Sequence, residues 1–180
     1  MRKDYEIILN LIPENSKVLD IGCSDGELIT YLENKGISAQ GVELSQEKVI
    51  KCLEKGLDVI HGDINLIVED FPFNQFDYCL LTQTIQAVQE PDQLLNTLKK
   101  VSKNIIVSFN NSARLSKILN FLLTGSFDSL LKKANSDHWY NTDYIHPCSI
   151  KDFKKLATDL DLKIISTFDV LSQKKFENGK

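Results

Sequence analysis

Apolar and polar positions along the chain switch repeatedly between a helical period and short continuous runs. Tyr5, Ile8, Leu9 and Ile12 recur at helical spacing up to Pro13, which predicts an opening amphipathic helix laid on one face of a sheet. Residues 18–21 form a short apolar run that ends in a glycine-containing turn, and Leu28, Ile29 and Leu32 then repeat helically as far as Gly36. The unit is strand, turn, helix. It recurs: residues 40–43 read as a second strand, Ser45 as the cap of a helix carrying Val49, Ile50 and Leu53, and Gly56 as its stop. Residues 58–61 read as a third strand and 76–82 as a fourth. Pro91 suits the first turn of a helix carrying Leu94, Leu95 and Leu98, and residues 104–109 read as a fifth strand. Such alternation predicts an α/β domain, a mostly parallel doubly wound sheet with helices on both faces.

Beyond the fifth strand the rhythm breaks. Residues 110–148 contain one helical pattern, Leu115, Ile118, Leu119 and Leu122, and no obvious strand. Insertions of that length usually cover or line a site, so this one is expected to act as a lid. Ser149 and Asp152 have the spacing of a capping box before Phe153, Leu156 and Leu160, and residues 163–168 read as a sixth strand. Residues 173–180 are polar and read as a frayed tail. With no repeat, low-complexity tract or linker, residues 1–180 read as one domain.

Composition narrows the choice of partners. Twenty-one basic against 25 acidic side chains give a net charge of −4, which lacks the positive field that nucleic-acid binding needs. No window approaches the roughly 20 apolar residues that span a bilayer, and the charged start, with Arg2, Lys3, Asp4 and Glu6, is unlike a signal peptide. Cys23, Cys52, Cys79 and Cys148 show no CxxC pair and no zinc spacing, and read as reduced thiols with no metal. A cytoplasmic location is the expectation.

The chemistry concentrates at the first strand-to-helix turn, VLDIGCSDG, where Asp20 ends the strand and Gly22 and Gly26 sit in the turn. Glycines there let the backbone approach a ligand closely and take positive φ. A dinucleotide site would want GxGxxG; here the spacing is Gly22-x-Ser24-x-Gly26, one residue shorter, with Glu27 where the last glycine would fall. Glu43, at the end of the second strand, is placed to accept hydrogen bonds from both hydroxyls of a ribose, and Asp63, after the third strand, to accept from an adenine amino group. A charge-assisted hydrogen bond contributes roughly 1.5–3 kcal/mol net. Three acidic positions at one sheet edge suit a cationic adenosyl ligand such as S-adenosylmethionine better than a diphosphate. Asp20 and Asp63 could equally serve only as turn caps, a role aspartate favours in any protein.

Four segments together, VLDIGCSDG, GVE at 41–43, HGD at 61–63 and FDY at 76–78, resemble the motifs of class I methyltransferases. More narrowly, TQTIQAVQEP at 82–91, IVSFNN at 106–111 and WYNTDYIHPCSIKDF at 139–153 resemble the MetW family of methionine-biosynthesis proteins, over about residues 16–168. The resemblance implies a Rossmann-like sheet of order 3-2-1-4-5-7-6 with its last strand antiparallel, and S-adenosylmethionine beyond the carboxyl ends of the strands. Carried onto matching positions it implies cofactor contacts at Asp20, Gly22, Cys23, Gly26, Glu43, Leu44, Asp63, Ile64 and Gln83.

Two departures stand out. Ser24 replaces the usual middle glycine, which is harmless at negative φ and strained in the left-handed region. No convincing seventh strand follows the sixth, which leaves an open edge available for self-association as a homo-oligomer or for completion by a partner.

Methyl transfer from a sulfonium depends chiefly on alignment and exclusion of water, so a general base is optional. His138, Tyr140 and His146 are the candidate catalytic residues, with Asp143 beside them in the expected lid. His146, next to Pro147, reads equally as a turn histidine, and Trp139 with Tyr140 as a loop anchor. Asn110 and Arg114 either face a methyl acceptor or cap the next helix. Two functions follow: a methyltransferase acting on a small-molecule acceptor, or, as the MetW resemblance implies, a non-catalytic, S-adenosylmethionine-responsive partner of homoserine O-acyltransferase.

Overall fold

A computed structural model describes residues 1–127, 144–172 and 174–176. Helix α1 (Lys3–Leu11) leads into strand β1 (Lys17–Ile21), helix α2 (Glu27–Asn34), β2 (Ser38–Glu43), α3 (Gln46–Glu54) and β3 (Val59–His61). A short helix α4 (Ile64–Ile67) and one 3-10 turn (Val68–Asp70) precede β4 (Phe76–Thr82), α5 (Pro91–Val101) and β5 (Ser102–Ser108). Then come α6 (Leu115–Thr124), α7 (Ile150–Asp159), β6 (Thr167–Asp169) and β7 (Lys174–Phe176).

Strands β1 to β5 form one sheet of order β3-β2-β1-β4-β5, parallel throughout. The order reverses beside β1, so the carboxyl ends of β1, β2 and β4 open onto a crevice. Successive strand residues face opposite sides of the sheet, and both sides are packed. Leu19, Ile21, Cys79 and Leu81 face a core completed by Leu94, Leu95 and Leu98 of α5. Val18 and Leu80 face the other, with Tyr5 and Ile8 of α1, Leu28, Ile29 and Leu32 of α2 and Cys52 of α3. Two-sided burial explains why these strands read as continuous apolar runs.

Two helix starts follow the local chemistry read from the sequence. Pro91 starts α5, and Ser149 with Asp152 forms a reciprocal capping box, each side chain accepting from the other's backbone N–H. Ser45 precedes α3 but makes no side-chain cap bond; Glu43 Oε1 accepts from its N–H instead, at 2.9 Å.

The carboxyl-terminal part departs from expectation. The sixth strand is three residues long, 167–169, and pairs antiparallel with β7 in a separate two-stranded ribbon, so among the described residues the order 7-6 does not extend the main sheet. A seventh strand therefore exists within the segment read as a frayed tail. Its cause is a turn: Asp169 accepts from the Leu171 N–H at 3.1 Å and the Ser172 hydroxyl at 2.8 Å, reversing the chain. Among the described residues no helix is long and apolar enough to cross a membrane, and no cluster of three or more metal-ligating side chains occurs.

Candidate functional site

The loop between β1 and α2 is a run of alternating backbone conformations, with φ of 73° at Gly22, 56° at Ser24 and 77° at Gly26. At Gly22 a Cβ would sit 2.7 Å from Thr84 Oγ1, so both the angle and the space require glycine. A Cβ at Gly26 would run into the Leu57 side chain, so that glycine serves packing beneath the loop. Ser24 is in the left-handed region, the strained alternative foreseen from its sequence position.

What holds the loop in this shape is β2. The N–H groups of Gly22 and Cys23 both donate to Val42 O, at 2.8 and 3.2 Å. Glu43 Oε2 accepts from the Ser24 N–H at 2.9 Å, while its other oxygen takes the Ser45 N–H. Glu43 is 7% exposed, and this clamp was not foreseen from the sequence.

Above the loop lies a cleft with about 710 Å³ of empty space including its open mouth. Asp20, Gly22, Cys23, Ser24 and Glu43 line it from the ends of β1 and β2, Thr82, Gln83, Thr84 and Ala87 from the end of β4 and the loop after it, Arg2 from the residue before α1 and Tyr5 from α1, together with Lys48 and Tyr144. Asp20 is 2% exposed, and its Oδ1 has no hydrogen-bond partner; the same holds for Thr82 Oγ1. Burial pushes the Asp20 carboxyl up to about 7, with Arg2 opposing and Glu43 adding to the rise. Burial likewise raises the Cys23 thiol, which is therefore no thiolate nucleophile at neutral pH.

Of the residues implied by resemblance, Asp20, Gly22, Cys23, Glu43 and Gln83 meet in this lining. Gly26, Leu44, Asp63 and Ile64 are not among its lining residues. Leu44 is exposed on the surface, Ile64 packs into the core, and Asp63 caps α4 by accepting from the Asn65 N–H at 2.9 Å. Gln83, at φ 62°, is fastened by its own N–H to Ser108 O at 3.0 Å.

A polar network closes the β4 side. Tyr144 donates its hydroxyl to Gln83 Oε1 at 3.2 Å and accepts from Asn110 Nδ2 at 3.1 Å. Buried Gln86 accepts from the Asn110 N–H at 2.9 Å, and its carbonyl takes the N–H groups of Ile145 and His146. The His146 ring approaches Gln89 O at 3.1 Å, and Arg114 precedes α6 without a side-chain cap bond. His138, Trp139, Tyr140 and Asp143 lie outside the described residues.

Arg2, Tyr5, Thr82, Thr84 and Tyr144 were missed as site residues. Thr82 and Thr84 flank Gln83, so the strand end itself was the signal. Arg2 and Tyr5 reach the cleft because α1 packs on the Val18 face of the sheet; the apolar stripe predicts that packing but not which residues it brings to the cleft.

This geometry belongs to a known class: the fold is that of the Rossmann-like class I methyltransferases. A solved S-adenosylmethionine-dependent methyltransferase from Archaeoglobus fulgidus superposes with a TM-score of 0.67 at 19% identity, over 92% of this chain and 73% of that one. At the level of sequence, the family model for methionine biosynthesis protein MetW matches residues 2–178, and the chain belongs to that family. A bifunctional methionine biosynthesis protein MetXA/MetW from Rhodopirellula baltica is 32% identical over 170 residues, 89% of this chain but 27% of the relative. The chain thus spans about a quarter of that protein's length. An uncharacterized methyltransferase from Staphylococcus carnosus is 26% identical over 189 residues, 96% of this chain and 82% of that one.

Proposed function

We propose that the cleft binds S-adenosylmethionine and that the protein transfers its methyl group to a small molecule. The observation that carries the cofactor reading is the orphaned, buried Asp20 Oδ1. An unpaired carboxylate oxygen in such a place costs free energy unless a cationic donor arrives, and the ammonium at the methionine end of the cofactor is one. Thr82 Oγ1 offers a second polar contact beside it. Each Glu43 oxygen keeps acceptor capacity beyond its backbone bond, which fits a ribose diol. Asp63, Leu44 and Ile64 would then border the adenine.

When bound, the cofactor supplies an electrophilic methyl group on a sulfonium. The chain's part is to hold the acceptor behind that methyl and to keep water out. Gln83 and Tyr144 line the cleft and would orient the acceptor, with Asn110 holding the Tyr144 hydroxyl from behind. Calorimetric titration with S-adenosylmethionine tests binding, with Glu43→Ala expected to weaken it at least about tenfold through loss of charge-assisted bonds. Labelled cofactor with a panel of metabolites tests turnover; a chain that binds but methylates nothing retires the transferase half of the proposal.

The Rhodopirellula relative favours a second reading. Its name joins MetXA and MetW in one polypeptide, the arrangement expected of a protein that works against a homoserine O-acyltransferase, with S-adenosylmethionine as an end-product signal. Co-purification with that acyltransferase, and a change in its rate when this chain and the cofactor are added, are the expected results. An acyltransferase indifferent to the chain, with and without cofactor, excludes it.

A further inference from the structure

The charges in the cleft are not all acidic, and their placement says more about the ligand than its adenosine half does. An α-amino acid end carries an ammonium and a carboxylate on one carbon, so its recognition needs an anion and a cation side by side. Asp20 supplies the anion. Among the described residues two cationic side chains line the same cleft, Arg2 and Lys48. Lys48 stands exposed on α3, just beyond Glu43, at the ribose end. Arg2 is the cation whose charge acts on Asp20.

Arg2 is also held as a binding group is held. Its Nε and Nη2 donate to the two oxygens of Asp4, at 3.1 and 2.5 Å, and Asp4 is itself 7% exposed. Its Nη1 donates to the Tyr5 hydroxyl at 3.1 Å, and the guanidinium lies over the Tyr5 ring, 4.5 Å from the centroid. These contacts fix the plane of the fork while leaving one N–H on each terminal nitrogen for another acceptor. A rigid guanidinium lining the same cleft as an unpaired buried carboxylate matches a zwitterion.

Resting on the cofactor reading above, we propose that Arg2 binds the carboxylate of the ligand's amino-acid end while Asp20 takes its ammonium. Asp4 and Tyr5 are then positioning residues, and helix α1 becomes a wall of the ligand site rather than only a cover for the sheet. The site would select ligands with an intact amino-acid end over adenosyl compounds that lack it.

The test uses S-adenosylmethionine and its decarboxylated form, which keeps the sulfonium and the amine but has no carboxylate. Titrated into the full chain, the intact cofactor is expected to bind at least about tenfold more tightly. Arg2→Gln is expected to erase most of that advantage, weakening the intact cofactor about tenfold and the decarboxylated form less than about twofold. Asp20→Asn is expected to weaken both. Equal loss for the two ligands in Arg2→Gln, or equal affinity of the two for the unaltered chain, overturns the proposal. The latter comparison stands even where the variant is poorly folded. A chain that binds neither ligand instead removes the cofactor reading itself, and Arg2's role with it.

Discussion

Asp20 offers the sharpest link between site and stability. Its carboxyl would release its proton near 3.8 in the unfolded chain and does so near 7 in the fold, because burial disfavours the charge. Between those values the folded protein keeps a proton that the unfolded chain has lost, so stability falls as pH rises from about 4 through about 7. At about 1.4 kcal/mol per pH unit, the full span amounts to roughly 4 kcal/mol. Asp20→Asn keeps the shape and removes the titration. The variant is expected to match the parent below about pH 4 and to exceed it increasingly towards pH 8. Urea unfolding followed by circular dichroism at pH 4, 6 and 8 reads the difference directly. Adding S-adenosylmethionine at pH 8 should reverse the order, because only the parent has a carboxylate to pair with the incoming ammonium. Parallel pH profiles for the two proteins, or a parent more stable at pH 8 without ligand, would refute the account of Asp20 as an unpaired buried acid.

Three further substitutions probe the loop and the network beside it. Gly22→Ala combines a left-handed φ with a Cβ 2.7 Å from Thr84 Oγ1, and should cost at least about 2 kcal/mol in thermal unfolding and abolish cofactor binding. Ser24→Gly should stabilise by about 0.5–1 kcal/mol, read from the shift in urea midpoint, since serine at φ 56° carries a cost glycine avoids. Gln86→Ala removes the acceptor of the Asn110 N–H and should cost about 2–3 kcal/mol. Amide exchange of Ile145 and His146 separates a local loss of docking from global destabilisation.

The sheet was legible because its strands are buried on both faces and separated by turn residues: the boundaries of β4 match its apolar run, residues 76–82. The capping box at Ser149 was legible for a similar reason, being chemistry local to three residues. The ribbon at 167–176 was not, since Lys174 and Lys175 look like tail and the reversal depends on the Asp169 side chain. The same divide runs through the site. Asp20, Gly22 and Glu43 announce themselves by position at strand ends, and the cleft contains all three. Arg2 and Tyr5 come from an element whose only local signal is an apolar stripe, and their arrival at the cleft is decided by packing.

Glu43 joins two tasks in one side chain. The side chain proposed to meet a sugar already grips the amide of Ser24, so the floor beneath the ligand is shaped before anything lands on it. A binder built in this way pays little to organise itself, and its affinity reflects contacts rather than ordering. The cost appears elsewhere, in evolution: drift at this one position would spoil the floor and the grip together, and neither could be repaired alone.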